Sequence, residues 1–170
     1  MIILIEYVFY LDSYYTHLSI RYERDTIVGA KEVIKLIKAK SNYYDQIWLT
    51  NKLGGYIHLL FHLNYPPDLY QKQAKLGALD EYGFGHVDGF DKYLFRKMPR
   101  YFDFSKKILY IASVEESPKG VEPIVKTIYS DGSDAFYIFD TEKIKNQCSE
   151  CNLVYKPSNQ DIYGEEIIKK

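Results

Sequence analysis

The chain has 170 residues, 46% of them hydrophobic and 26% charged, which is the composition of a folded globular protein and excludes a disordered one. The formal net charge of −1 provides no overall field to attract nucleic acid or an anionic membrane. Eighteen tyrosines stand against one tryptophan and two methionines. Because each buried tyrosine hydroxyl needs a hydrogen-bond partner, so many tyrosines indicate half-buried faces and interfaces as well as a core.

Length and the lack of a linker-like tract predict one α+β domain over residues 1–156 and a polar tail over residues 157–170. Hairpin patterns outnumber β-α-β alternation, so we expect a mainly antiparallel sheet with helices packed on it. The apolar N-terminal run follows no basic region, precedes no small-residue cleavage site and is too short to cross a bilayer. We therefore expect a cytoplasmic protein.

The first forty residues predict two strands and a helix. Residues 1–10 are apolar on both faces, as in a central strand, and residues 17–24 alternate apolar and polar side chains, as in a half-buried strand. Residues 25–40 carry apolar side chains at the spacing of one helical face. The two strands are expected to pair antiparallel.

A hairpin is predicted between residues 46 and 63. Residues 46–50 and 56–63 flank a double glycine that favours a tight turn. In a strand, His58 and His62 are too far apart to bind one metal ion, whereas in a helix they stack at i, i+4 and could share one. The glycines before and the prolines after this segment favour the strand.

The remaining pattern predicts two helices, a strand and a second hairpin. Gly77 weakens the first of these helices. In the second helix, Phe90, Leu94, Phe95 and Met98 point inward. These elements cover residues 68–79 and 92–98 (helices), 108–113 (strand), and 123–129 with 135–140 (hairpin). A short helix over 141–147 and a last strand over 152–156 follow.

The segment from residue 80 to residue 91 differs from the rest of the chain. It carries three glycines, four acidic residues and no lysine or arginine. Glycines that alternate with aromatic residues place backbone freedom beside large contact surfaces, which is typical of a binding loop. We predict these partner-binding residues: Asp80, Glu81, Tyr82, Phe84, His86, Asp88, Phe90 and Asp91.

Catalytic chemistry has only one candidate constellation. No nucleotide-binding, serine-hydrolase or zinc-protease motif occurs, so no catalytic residue is assigned. The alternative to a binding protein is a small metal-dependent nuclease. In that protein, His86, Asp88 and Asp91 would hold a divalent ion near Arg96 and Arg100.

Direct nucleic-acid binding is a further alternative. Aromatic and basic residues interleave over residues 92–107, so bases could stack there while the cations contact phosphate. The adjoining acidic segment would repel phosphate, and we therefore favour a protein partner over nucleic acid.

The two cysteines form one C-x-x-C. A reducing cytosol disfavours a disulfide between Cys148 and Cys151, and a zinc site would need two more ligands in recognisable spacing. We expect a reduced, metal-free pair and no cofactor.

In overall character the chain resembles the immunity proteins of bacterial toxin systems, such as those of contact-dependent growth inhibition. The shared features are small size, tyrosine richness, slight acidity and a bias toward Ile, Lys, Asn and Tyr. The resemblance implies an inhibitor without turnover that binds a cognate toxin domain and covers its active or substrate-binding surface. Such toxins are often nucleases, whose basic surfaces would suit the acidic segment at residues 80–91.

Overall fold

The computed structural model describes residues 2–18, 22–23, 28–79, 82–99 and 102–147. The strands in this part of the chain are β1 (Gln46–Leu49), β2 (Lys75–Leu79), β3 (Gly85–Phe90), β4 (Tyr93–Phe95), β5 (Ile108–Ser113), β6 (Val125–Ile128) and β7 (Asp134–Asp140). The α-helices are α1 (Ile2–Asp12), α2 (Val28–Lys40), α3 (Tyr56–Leu63), α4 (Pro67–Gln73) and α5 (Thr141–Gln147). A π-helical segment, Ser13–His17, continues α1.

The seven strands form one sheet in the order β2-β3-β4-β1-β5-β7-β6. Pairs β2–β3, β3–β4, β5–β7 and β6–β7 are antiparallel, whereas β1 runs parallel to both β4 and β5. The mainly antiparallel α+β prediction is confirmed. The parallel centre was not predicted, and it requires the crossovers that return the chain from β1 to β4 and from β4 to β5.

Apolar side chains cover both faces of the sheet. All six residues of β5 are buried. Leu109 and Ile111 belong to one cluster, with Ile37 of α2, while Tyr110 belongs to a second cluster with Ile144 of α5. Since successive strand residues point to opposite faces, the two clusters lie on the two sides of the sheet.

Four predicted elements, at residues 28–40, 108–113, 123–140 and 141–147, are confirmed. The helix shows the expected buried face, and the hairpin forms around Asp131, whose carboxylate accepts the Ser133 N–H at 2.8 Å. Asp140 accepts the Lys143 N–H at 2.7 Å and thereby caps α5. Residues 25–27, at the predicted start of the first helix, lie outside the described residues.

The strand predicted over residues 1–10 is wrong, because residues 2–12 form a helix. Of the strand predicted over residues 17–24, residues 19–21 and 24 lie outside the described residues, and the described part is not a strand. A short run that is apolar throughout has no periodicity that separates a buried strand from a helix. In the described part of the chain, no helix combines the length and apolarity needed to cross a bilayer.

The hairpin predicted over residues 46–63 is also wrong, although β1 itself forms. Gly54 and Gly55 adopt positive φ values of 81° and 77° and turn the chain into α3 rather than into a second strand. Asn64, at φ 51°, ends α3 in the left-handed conformation. The glycine pair therefore joins a strand to a helix.

Strand replaces predicted helix or loop between residues 75 and 95. The helix predicted over residues 68–79 ends at Gln73 and gives way to β2, and half of the predicted loop at 80–91 is β3. The helix predicted over residues 92–98 is β4, whose three residues are all buried. Leu94 and Phe95 are therefore inward, as predicted, but in a strand.

The C-terminal predictions lie outside the described residues, which end at 147. They are the Cys148–Cys151 pair, the strand at 152–156 and the tail at 157–170.

Candidate partner-binding hairpin

The predicted binding segment belongs to a β-hairpin at one edge of the sheet. Among the described strands, β2 is the outermost and pairs only with β3. Leu76 lies opposite Val87 and Leu79 lies opposite Gly85, with register irregularities on both sides of Leu76. We call residues 75–90 the edge hairpin. Its outer strand leaves backbone groups available at the open edge, where another chain can pair.

The edge hairpin carries a group of large exposed apolar side chains. Tyr82 is 77% exposed and Phe84 is 70% exposed. Leu76 and Leu79, on the outer strand, are exposed to a similar extent. Isolated exposed apolar residues are ordinary, but four within nine residues form a local patch of the kind found at interaction sites.

The sequence signal for Leu76 and Leu79 was missed. The predicted helix over residues 68–79 placed them on a helical face, so they were not considered as binding residues. The signal available was Gly77, which is unfavourable in a helix interior and common where strands approach closely.

The predicted polar residues are spread along the hairpin and its following turn. His86 is exposed and Asp88 is half-buried. Asp91 is exposed in the two-residue turn between β3 and β4, with φ at 48°, a conformation that Asp tolerates better than most residues. Asp80 and Glu81 lie outside the described residues.

Phe90 corrects the predicted set, because it is a core residue and not an exposed anchor. Its side chain is 0% exposed. Ring centroids of Tyr65, Tyr70 and Tyr93 lie 5.0, 5.4 and 5.3 Å from that of Phe90. Sequence reasoning placed Phe90 with Tyr82 and Phe84 because the strand was read as a loop. Phe90 instead fixes the end of β3 to the aromatic core.

Two glycines in this region leave space that neighbouring groups occupy, side chains at Gly77 and backbone at Gly89. A Cβ on Gly77 would lie 2.8 Å from the Asp88 Oδ1 and 3.0 Å from the His86 Cδ2, so both side chains lie over this glycine. A Cβ on Gly89 would lie 2.5 Å from the Tyr93 carbonyl oxygen and 2.9 Å from the Leu94 Cδ2. His86 and Asp88 are thus held side by side, on a strand that only glycine at 89 can accommodate.

The tyrosines around Phe90 remain neutral at physiological pH. Burial, reinforced by the negative charge of Asp91, raises the pKa of Tyr65 and of Tyr93. Burial, with smaller contributions from the charge interaction and the side-chain hydrogen bond with Tyr56, raises the pKa of Tyr70 to about 12. Any negative charge near the hairpin therefore comes from carboxylates and not from these phenols.

The structure brings together few of the residues that the nuclease alternative needs. No group of three or more His, Cys, Asp or Glu side chains converges on a possible metal position within the described ranges. His58 and His62 do lie at i, i+4 on α3, as a helix requires, and both are half-buried. The Arg96 guanidinium lies over the Trp48 ring at 5.0 Å, and Arg100 is outside the described residues.

No protein-family model, curated protein or solved structure matches the chain.

Proposed function

We propose that this protein is a cytoplasmic immunity protein that binds and neutralises a cognate toxin domain with a basic surface, such as a nuclease domain. The observation that carries the proposal is the exposure of Tyr82 and Phe84 on the edge hairpin. Aromatic side chains with this exposure are the residue type that dominates binding energy at protein interfaces.

The hairpin is suited to binding because its exposed end is attached to a rigid base. Phe90 and Val87 are buried in the core cluster, whereas Leu79, Tyr82 and Phe84 are exposed and lie outside it. A strand fixed at one end presents its exposed residues with little loss of conformational freedom on binding. A surface that loses less conformational entropy on association binds its partner more tightly.

Charge supports a basic partner. Asp88 lies on β3 of the edge hairpin, and Asp91 follows that strand at the end away from Tyr82 and Phe84. The sequence adds Asp80 and Glu81 directly before Tyr82. Carboxylates beside an aromatic patch resemble the phosphate-and-base character of a nucleic acid. They would steer a basic domain toward the hairpin.

The test is a binding measurement with the protein encoded by the adjacent reading frame, using surface-immobilised wild-type chain and variants. We expect Tyr82→Ala or Phe84→Ala to weaken binding by roughly 1–3 kcal/mol, mainly through faster dissociation, because each removes a large apolar contact. The matched control is Phe61→Ala, which removes an equally exposed ring (75%) from α3. Phe61→Ala should leave the affinity unchanged.

Two results would contradict the proposal. One is a complex in which Phe61→Ala and Phe84→Ala have equal effects. The other is nucleic-acid cleavage by the purified chain with Mg²⁺ or Mn²⁺ that disappears in His86→Ala, which would establish the nuclease alternative.

A further inference from the structure

The N-terminal helix is an apolar element with little contact to the rest of the molecule. Every side chain from Ile3 to Tyr10 is exposed. Within the described residues, the only extensive contact of α1 is with the π-helical segment that follows it. Exposed apolar side chains in this number are unusual on the surface of an isolated chain.

One line of this helix has the spacing of a helix-pairing seam. Leu4, Tyr7 and Leu11 are separated by three and four residues, and Tyr14 and Leu18 continue the same 3-4 alternation in sequence. Leucine thus occupies each first position of the heptad and tyrosine each fourth position. Within α1 this spacing keeps one stripe facing a partner helix, whereas the wider turn of the π-helical segment ends the stripe after Leu11. We call Leu4, Tyr7 and Leu11 the α1 seam.

The exposed area is large enough for a stable interface. Four of the large exposed side chains of α1 lie on the seam side, namely Ile3, Leu4, Tyr7 and Val8. Together they present roughly 500 Å², so pairing of two copies would bury about 1,000 Å² in total, which is the area that a specific protein interface should reach.

The composition of the helix favours a protein helix over a lipid surface. Residues 2–18 include the acids Glu6 and Asp12 but no lysine or arginine. Helices that lie on membranes carry basic residues that attract anionic lipids. The seam residues Leu4, Tyr7 and Leu11 are uncharged, so two copies can meet without bringing like charges together, as an isologous dimer of identical patches requires.

We infer that α1 pairs with α1 of a second copy of this chain through the α1 seam, so that the protein is a homodimer. The edge hairpin lies on other elements and takes no part in this contact. Dimerisation would give each assembly two copies of the proposed partner-binding surface.

Sedimentation equilibrium of the full chain at micromolar concentrations tests the inference. Wild type should show twice the chain mass of 20.0 kDa, and Leu4→Lys/Leu11→Lys should show the single mass. The milder Leu4→Ala/Leu11→Ala should raise the dissociation constant of the dimer at least about tenfold, since it removes apolar contact without adding charge. Circular dichroism verifies that each variant is folded.

Phe9→Lys is the matched control. Phe9 is 71% exposed, against 69% for Leu4, but it lies on the side of α1 opposite the seam. The control should remain dimeric. A monomeric wild type overturns the inference, as does a seam variant that stays dimeric or a control that dissociates as readily as Leu4→Lys/Leu11→Lys. Monomers that co-sediment with phosphatidylcholine–phosphatidylglycerol vesicles would assign α1 to a lipid surface instead.

Discussion

Gly89 illustrates how a single residue type sets the geometry of the edge hairpin. Its missing side chain leaves space that the backbone of Tyr93 occupies, at a distance no real Cβ would tolerate. Gly77 is crowded too, but by side-chain atoms of His86 and Asp88, which can rotate away. An added methyl group should therefore destabilise the fold more at Gly89 than at Gly77.

We predict that Gly89→Ala lowers the free energy of unfolding by about 1–3 kcal/mol, because the strand backbone must shift to admit the methyl group. Gly77→Ala should cost less than about 1 kcal/mol, since only side chains must move. Urea denaturation of the two variants measures the difference. Equal losses of unfolding free energy would contradict the prediction that the backbone contact makes Gly89 the less tolerant position.

Substitutions at Phe90 test whether this residue is part of the core or an exposed partner-binding residue. As a fully buried ring in contact with three tyrosines, it should lower the free energy of unfolding by about 3–5 kcal/mol when changed to alanine. Denaturation of Phe90→Ala and of the volume-conserving Phe90→Leu checks this, and the second should cost less. A variant of unchanged stability would return Phe90 to the partner-binding set.

At the scale of elements, sequence patterns succeeded where periodicity and turn chemistry agreed. The helix at 28–40 has one apolar face, and the hairpin at 125–140 has alternation on both sides of Asp131-Gly132. The patterns failed at residues 2–12 and 56–63, where nearly every residue is apolar and both periods fit equally well. In such segments, tertiary contacts or their absence determine whether a helix or a strand forms.

The candidate site was predicted in part for the same reason. Composition alone identified residues 80–91 as unusual, and Tyr82, Phe84 and His86 are indeed exposed. Phe90 was assigned both to an inward helical face and to the partner-binding set, and its burial beside the β3–β4 pairing shows that it belongs to the core. Leu76 and Leu79 required knowledge of the sheet edge.

At the scale of the whole molecule, the tyrosines divide among core, half-buried and surface positions. Tyr44, Tyr93 and Tyr110 are buried, whereas seven of the described tyrosines are exposed. Four of these seven lie between residues 7 and 15, and only Tyr82 lies on the edge hairpin. The tyrosine excess therefore points to two surfaces, the N-terminal helix and the edge hairpin, and mainly to the first.

The two surfaces have separate proposed roles, pairing of chains through α1 and partner binding through the edge hairpin. Loss of the dimer by the seam variants should therefore leave the intrinsic affinity of each hairpin for its partner unchanged. Separate sites whose changes do not share contacts are expected to act independently.

Amide hydrogen exchange tests the central claim, which is that the edge hairpin binds the partner. Exchange is measured on the chain alone and in complex with the protein from the adjacent reading frame. The account predicts slowed exchange at residues 75–90, with β6 at the opposite edge of the sheet unchanged. Slowed exchange at β6 or elsewhere, with residues 75–90 unaffected, would contradict it.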